Sequence, residues 1–183
     1  MDEYFPELIP IYNEFRYLVQ RRDAIRYLIL YHIGGLYVDL DYECLEPIDS
    51  LFVNSVCCLG LEPTLNAIKY DKPFIIGNAL MVSIPKHPYF KLIIDDVFFS
   101  KNKYINEDKG TEIVESTGPF MMSRVYDAYK DKENVTLVPG DLVAPLTDSE
   151  VRLVIKGQET KEIENKVEKV YAIHYFFGSW WTQ

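Results

Sequence analysis

Apolar and polar positions along the chain change period repeatedly, which predicts helices that alternate with strands. Residues 21–35 predict a helix that ends at Gly34 or Gly35, the type of residue that accepts a left-handed conformation after a last turn. Its apolar side chains recur near a period of 3.6; they are Leu18, Ile25, Leu28, Ile29 and Ile33. An apolar strand follows at once and runs into Asp39 and Asp41.

The rest of the chain continues the alternation. Short apolar runs predict strands at residues 55–61, 74–82, 135–138 and 170–175, and residues 47–52 predict a turn or short helix. Prolines in first-turn positions predict helices that start near residues 87–88 and 117–119. The charged residues 156–169 are expected to form an exposed loop or a strand pair. These elements predict one α/β domain.

Asp39 and Asp41 are the first candidates for chemistry. Residues two apart on a strand point to the same side, so the two carboxylates would lie next to each other at the strand end. A divalent cation with oxygen ligands would relieve their repulsion. An Asp-x-Asp triplet also occurs by chance as a turn cap or at a solvated edge, and from the triplet alone that alternative stays open.

Composition narrows the class of protein. The chain has 183 residues, of which 48% are hydrophobic and 14% aromatic, enough for one well-buried core. A net charge of −9 argues against a general nucleic-acid binder, because phosphate backbones require basic patches. An anionic substrate would need a metal or local cations. Cys44, Cys57 and Cys58 are expected to be free, mostly buried thiols.

The chain opens with acidic residues and has no uninterrupted apolar run near the ~18 residues of a membrane helix. From this we expect no transmembrane segment and a cytoplasmic location, with peripheral contact to a membrane at most.

Residues 22–41 resemble the sugar-nucleotide-dependent glycosyltransferases with a DXD sugar-binding region, of the initiating mannosyltransferase type. Further blocks are similar and occur in the same order: Asn78, His87 with Pro88, residues 117–119, and His174 ahead of residues 178–180. The resemblance implies a GT-A-like (Rossmann-like) fold, a mixed and mostly parallel sheet flanked by helices. It also implies one catalytic domain over residues 1–183 that lacks the family's usual first strand and helix. Three alternatives stay open: a minimal enzyme, a fragment, or a chain to which a partner or a second copy supplies the missing part.

The implied activity is metal-dependent transfer of a hexose from a UDP- or GDP-sugar to a hydroxyl of a glycan, glycolipid or protein, with the anomeric configuration retained. No residue stands out as a covalent nucleophile. The implied cofactor is Mn²⁺ or Mg²⁺. By resemblance, Asp41 is its direct ligand, Asp39 contacts the ribose and reaches the metal through water, and His174 closes the coordination sphere.

The resemblance also implies residues that bind the donor; they are Asp23 and Arg26 at the sugar hydroxyls, Tyr37 near the base or ribose, Asn78 at the sugar, and Ser179 and Trp180 at the diphosphate. Plain structural roles compete with several of these assignments. Asp23 and Arg26 are three residues apart on a helix and can simply form an ion pair. Tyr37 and Trp181 can be packing residues, Asn78 a strand-end residue, and residues 117–119 a helix start. His87 is predicted to be structural.

Two other functions remain open at this point. A catalytically silent module would keep the metal and sugar contacts without turnover. A glycoside hydrolase also uses two carboxylates, but it places them ~5–10 Å apart across the scissile bond.

Overall fold

Helices and strands alternate along residues 1–178, the part of the chain that the structure, a computed structural model, describes. The α-helices in this part are α1 (Ile9–Asn13), α2 (Leu18–Ile33), α3 (Thr64–Lys69), α4 (Pro88–Phe99), α5 (Lys109–Ser116), α6 (Pro119–Ala128), α7 (Gly140–Val143), α8 (Asp148–Ile155) and α9 (Lys161–Val167). The strands are β1 (Gly35–Val38), β2 (Tyr42–Cys44), β3 (Cys57–Leu61), β4 (Ile76–Ser83), β5 (Thr136–Val138) and β6 (Ala172–His174). Short 3-10 helices lie at Pro6–Leu8, Asp49–Leu51, Lys101–Tyr104 and Lys132–Asn134. The predicted α/β class is confirmed.

The strands form two sheets. The larger has the strand order β1-β4-β3-β5, and its β3 and β5 are parallel, with Leu59 opposite Leu137. The smaller consists of β2 and β6, which are antiparallel. The four strands predicted at residues 55–61, 74–82, 135–138 and 170–175 are present as β3, β4, β5 and β6. Each begins and ends within two residues of the predicted bounds.

The chain divides into two compact units, each described here by itself. The helical unit comprises residues 1–36 and 83–132, and it includes α1, α2, α4, α5 and α6. The sheet unit comprises residues 37–82 and 133–178 and includes most of the larger sheet and all of the smaller one. One catalytic domain over residues 1–183 stays a prediction.

Helix α2 ends as its sequence predicts. The N–H of Gly34 donates to the carbonyl of Leu30 at 2.9 Å, and Gly34 has a φ of 75°. A Cβ at this position would lie 2.7 Å from Cδ of Pro85, so a side chain would clash as well as strain the backbone.

The predicted apolar face of α2 is wrong in part, because Leu18, Ile29 and Ile33 are exposed. The buried side chains of α2 are Gln20, Asp23, Ala24, Arg26, Tyr27, Leu28 and Leu30. Polar contacts with the end of α5 explain this face: Gln20 Nε2 donates to Ser116 Oγ at 2.9 Å. Periodicity of apolar residues does not reveal a helix face that hydrogen bonds hold in place.

The core of the sheet unit includes two apolar clusters. One gathers Cys58, Leu80, Val138 and Val143, and therefore joins α7 to strands of the larger sheet. The other gathers Leu146, Val151, Ile163, Val170 and Ile173. All three cysteines are free; Cys57 and Cys58 are buried and Cys44 is exposed, which confirms the expectation of mostly buried thiols.

Helix α9 corrects the prediction of a loop or strand pair at residues 156–169. Thr160 Oγ1 accepts the N–H of Ile163 at 3.3 Å and so caps the helix start. The side chain of Ile163 is buried in the second apolar cluster. Val167 also packs against this cluster, and Lys166 Nζ donates to Glu150 of α8, so tertiary contacts fix a short helix whose sequence is mostly charged.

Among residues 1–178, no helix combines the length and the apolar character that crossing a bilayer requires. A cytoplasmic location stays a prediction.

Candidate metal centre

The two carboxylates of the Asp-x-Asp triplet lie in a turn rather than on a strand. Strand β1 ends at Val38, and the N–H of Tyr42 donates to the carbonyl of Asp39 at 3.2 Å, which closes a β-turn. Leu40 lies at the tip of this turn, fully exposed. The N–H of Asp39 donates to the carbonyl of Ala79 at 2.8 Å, which ties the turn to β4. The turn, not strand alternation, therefore brings Asp39 and Asp41 together.

His174 joins the carboxylates through the smaller sheet. Strand β2 begins at Tyr42, directly after the turn, and β6 places His174 opposite Tyr42. Their rings stack with centroids 4.5 Å apart and an interplanar angle of 9°. The ring of Phe176 lies 4.0 Å from the imidazole, and His174 is only 7% exposed. The imidazole is therefore held in one orientation between two aromatic rings.

Asp39, Asp41 and His174 form what we call the carboxylate–imidazole cluster. One ligand atom from each lies within 4.8 Å of the other two. His174 Nε2 is 3.3 Å from Asp41 Oδ1. These three residues could hold a metal ion, and the structure thus brings together the three metal ligands that the sequence predicts.

Neighbouring groups orient both carboxylates. The hydroxyl of Tyr37 donates to Asp39 Oδ1 at 2.6 Å. The backbone N–H of Phe177 donates to Asp41 Oδ2 at 3.0 Å, and the N–H of Tyr175 donates to the carbonyl of Asp41 at 2.9 Å. Tyr37 is thus part of the site through Asp39, and its predicted contact with a base or ribose stays a prediction.

The backbone after β6 is bent in an uncommon way. Phe176 has a φ of 45°, a left-handed conformation that a bulky side chain rarely adopts. Residues held in such conformations cluster at functional sites, where the surrounding contacts enforce them. Here the bend lies between His174 and the N–H of Phe177 that reaches Asp41.

Charge in the cluster is predominantly negative. Burial raises the pKa of Asp41, but the hydrogen bond and charge of His174 and the N–H of Phe177 outweigh it, so the pKa lies below its ordinary value. Burial, and then the charges of Glu62, Asp39 and Asp41, hold the pKa of Tyr42 well above its ordinary value. Asp41 is therefore a carboxylate at neutral pH, while Tyr42 keeps its proton.

The donor set fits the predicted cation. Carboxylate oxygens are the ligands that Mn²⁺ and Mg²⁺ prefer, and a neutral imidazole is the commonest nitrogen ligand of metals in proteins. Two carboxylates beside one imidazole carry net negative charge, which a divalent cation would offset. The residues are thus suitable for a divalent metal, and they do not by themselves select which one.

Asp23 and Arg26 lie in the helical unit, where they form a buried ion pair. Asp23 Oδ1 is 3.1 Å from Arg26 Nη2, and the two residues are 3% and 8% exposed. Thr117 Oγ1 donates to Asp23 Oδ2 at 2.9 Å, and Arg26 Nε donates to the carbonyl of Arg22 at 3.4 Å. The helical pairing that the spacing allows is present. Because buried charges are costly, a pair in this position calls for an explanation beyond stability.

The other residues that the sequence singles out lie in different parts of the chain, and some of them lie outside the described residues. Asn78 is a half-buried residue of β4, next to the Ala79 whose carbonyl bonds the turn. Ser179 and Trp180 lie outside the described residues, as does Trp181. His87 is buried and its Nδ1 accepts the N–H of Tyr89 at 3.3 Å, which is a structural role at the start of α4.

Sequence reasoning missed several neighbours of these groups. Tyr42 follows the triplet directly, and that adjacency to a predicted site was a usable signal. Glu62 follows the buried strand β3 just as Asp39 follows β1. Burial raises the pKa of Glu62, while the charge of His174 and a 3.2 Å hydrogen bond from Asn66 Nδ2 lower it, with a net rise. No sequence signal indicated the N–H of Phe177.

Comparison with known families matches residues 1–57 to the family described as "Glycosyltransferase sugar-binding region containing DXD motif". The match includes the buried ion pair, Tyr37 and both carboxylates of the cluster. It does not extend to Asn78, His174 or the residues after them.

The chain is also similar to characterised proteins. It is 36% identical over 126 residues to Inositol phosphoceramide mannosyltransferase 2 of Schizosaccharomyces pombe, covering 69% of this chain and 33% of that protein. It is 34% identical over 131 residues to Mannosyl phosphorylinositol ceramide synthase CSH1 of Saccharomyces cerevisiae, covering 71% of this chain and 31% of that protein. The chain thus spans about a third of the length of these curated relatives.

Among solved structures, the PaToxG Glycosyltransferase is similar with a TM-score of 0.46 and 14% identity, over 92% of this chain and 56% of that chain.

Proposed function

Because the chain belongs to the glycosyltransferases whose sugar-binding region contains a DXD motif, we propose that it transfers a hexose from a nucleoside-diphosphate sugar to an acceptor hydroxyl. The observation that carries the proposal is the carboxylate–imidazole cluster. Two of its three members lie within the matched residues, and the third, His174, is brought to them by the pairing of β2 with β6.

Asp39, Asp41 and His174 would hold Mn²⁺ or Mg²⁺ in this proposal. When bound, such a cation supplies a Lewis acid that neutralises the charge of a departing diphosphate. The chain's own contribution is orientation. Tyr37 and the N–H of Phe177 fix one oxygen of each carboxylate, and the flanking rings of Tyr42 and Phe176 fix the imidazole.

We assign donor recognition to residues of the matched region and, on the basis of the resemblance, to further residues beyond it. Asp23 and Arg26 are proposed to contact hydroxyls of the donor sugar, since a guanidinium offers several donors in a fixed plane. Tyr37 is proposed near the base or ribose and Asn78 at the sugar. Ser179 and Trp180 are proposed at the diphosphate, where a hydroxyl and an indole N–H can donate to phosphate oxygens.

The relatives narrow the substrates that we propose. Both are named for mannosyl transfer to inositol phosphoceramide, so a mannose donor and a glycolipid acceptor are the first choices, with other UDP- and GDP-hexoses and glycan or protein acceptors as alternatives. Retention of the anomeric configuration, a cytoplasmic location with peripheral membrane contact, and a partner or second copy that supplies further elements stay predictions.

A glycoside hydrolase is less compatible with this geometry. Its carboxylates act from across the scissile bond, ~5–10 Å apart. Asp39 and Asp41 instead belong to one turn and converge with His174 within 4.8 Å.

The test is hydrolysis of a panel of UDP- and GDP-sugars by the purified chain with Mn²⁺. The quantity measured is the nucleotide that is released. Mn²⁺-dependent release from one donor that EDTA abolishes is the expected result, and it would also identify the sugar. The matched control is Asp49→Asn, which changes an acidic residue of a nearby 3-10 helix and should leave the rate unchanged. A folded chain that binds donor and metal but releases no nucleotide would indicate the silent module. A chain that binds neither would contradict the proposal.

A further inference from the structure

Residues 117–119 form a tight junction between α5 and α6 that the proposed mechanism does not yet use. The N–H groups of Thr117 and Gly118 both donate to the carbonyl of Ile113, at 3.0 and 2.9 Å. A Cβ at position 118 would lie 2.8 Å from Cα of Val114, so the backbone approach requires glycine. Pro119 then begins α6. The junction has one defined geometry, and Thr117 is its first residue.

Thr117 contacts α2 through both its backbone and its side chain. Its carbonyl accepts the hydroxyl of Tyr27 at 2.6 Å. Its side-chain hydroxyl donates to Asp23 Oδ2 at 2.9 Å, and this oxygen of Thr117 lies 3.4 Å from the carbonyl of Ile113. A hydroxyl has one proton, and the shorter contact to a carboxylate is the stronger hydrogen bond. Thr117 has no exposed surface, so water does not compete for this contact.

The two oxygens of Asp23 therefore have different partners. Arg26 Nη2 lies 3.1 Å from Oδ1 and Thr117 contacts Oδ2, so the carboxylate plane is held from two sides. Without the hydroxyl, Oδ2 of Asp23 would lose its 2.9 Å contact, and the carboxylate that faces the guanidinium would be oriented less strictly. Binding groups that lose their support by even a fraction of an ångström bind their ligand less well.

We propose that Thr117 is a positioning residue that fixes the Asp23–Arg26 pair in the orientation that binds the donor sugar. This role rests on the proposed function, because it requires that the pair contacts the donor. Thr117 itself need not touch the substrate. Its effect passes through the carboxylate of Asp23.

Three variants test the proposal by donor hydrolysis with Mn²⁺. Thr117→Val keeps the shape of the side chain and removes the hydroxyl, and it should raise the donor KM about tenfold while the Mn²⁺ concentration for half-maximal rate stays the same. Thr117→Ser restores the hydroxyl and should return the KM to within about twofold of the wild type.

The matched control is Ser116→Ala in the preceding position. Ser116 is also buried and also bonds α2, but through Gln20 rather than Asp23. The Ser116→Ala variant should lower the free energy of unfolding, as Thr117→Val does, and leave the donor KM unchanged. This comparison separates positioning from simple support of the fold.

The outcomes separate the two proposals. An active wild type whose donor KM is unchanged by Thr117→Val, or is raised equally by Ser116→Ala, would overturn the role of Thr117 alone. A folded wild type that neither turns over nor binds any donor of the panel, measured by calorimetry with Mn²⁺, would overturn the proposed function and this role with it. A donor KM that Thr117→Val raises and Thr117→Ser restores supports both the proposed function and the role of Thr117.

Discussion

The buried ion pair of the helical unit and the carboxylate–imidazole cluster of the sheet unit solve the same electrostatic problem differently. Asp23 has an opposite charge at 3.1 Å and a hydroxyl at 2.9 Å, and the pair is buried. Asp39 and Asp41 lie half-buried in a turn with each other and one imidazole. The first group is balanced by the chain itself, while the second carries an excess of negative charge that a cation would balance.

This difference predicts opposite consequences of substitution. Removing one member of the balanced pair leaves an uncompensated buried charge and should reduce the stability of the fold. Removing a carboxylate from the half-buried cluster should reduce metal binding and turnover, with a smaller effect on the fold.

The largest expected effect is that of Asp41→Asn. The variant keeps an oxygen that can accept the N–H of Phe177 but loses the charge and should lose metal-dependent donor hydrolysis by a factor on the order of a thousand. Its free energy of unfolding should stay within about 1 kcal/mol of the wild type. Nucleotide release and urea unfolding measure the two effects. Full turnover by the variant would remove Asp41 from the mechanism.

Asp23→Ala should have the largest effect on stability. It removes the carboxylate that forms the ion pair with the buried Arg26 and should cost about 3–5 kcal/mol in urea unfolding. The double variant Asp23→Leu with Arg26→Met should recover much of this loss, because no charge remains to be buried.

Lys91 and Asp95 provide the control for that experiment. They form an ion pair on α4 with a similar helical spacing, but their side chains are 52% and 41% exposed. Asp95→Ala should cost less than about 1 kcal/mol, since water solvates the remaining lysine. Equal losses at the two sites would mean that burial is not what makes the Asp23–Arg26 pair important.

His174→Ala should have an intermediate effect on activity, which acts through the affinity for the metal. The Mn²⁺ concentration for half-maximal donor hydrolysis should rise at least about tenfold, because one ligand is lost and two carboxylates remain. His32→Ala, a histidine of the helical unit, serves as the matched control and should leave the titration unchanged. An unchanged Mn²⁺ titration in His174→Ala would assign His174 a purely structural role.

Glu62→Gln should have the smallest effect on the free energy of unfolding, and the size of this effect depends on pH. Burial raises the pKa of Glu62 above its ordinary value of 4.5, so its protonated form favours folding and this contribution is lost as the pH rises. The glutamine variant, which can still accept from Asn66, should gain stability relative to the wild type between pH 4 and pH 7 in urea unfolding. The matched control is Glu159→Gln, the same substitution at an exposed position, measured over the same pH range. If the difference in the free energy of unfolding between Glu62→Gln and the wild type does not change with pH, the charge of Glu62 is not the cause of that difference.

Local spacing was sufficient for one of the two groups and not for the other. Asp23 and Arg26 are one helical turn apart, and the helix that predicts their pairing is present. Strand alternation predicts that Asp39 and Asp41 lie together, and they do, but a β-turn and not a strand brings them together. His174 has no local signal that relates it to either carboxylate, and only its resemblance to a family motif indicated the contact.

The parts that sequence could not predict depend on tertiary contacts. The exposed Ile29 and Ile33 of α2 and the buried Gln20 reverse the apolar pattern because hydrogen bonds to α5 fix the helix face. The N–H of Phe177 reaches Asp41 only through a left-handed residue after β6. From sequence, residues 117–119 are compatible with a plain helix start, and the structure shows that Pro119 begins α6 while Thr117 contacts Asp23.

The most direct test of the proposed metal centre is a titration of the chain with Mn²⁺ in the absence of donor. Electron paramagnetic resonance measures the Mn²⁺ that stays free. We expect one saturable site in the wild type that is lost in the double variant Asp39→Asn with Asp41→Asn, while Asp23→Asn leaves it intact. Equal Mn²⁺ binding by the wild type and the double variant would contradict the claim that the carboxylate–imidazole cluster is a metal centre.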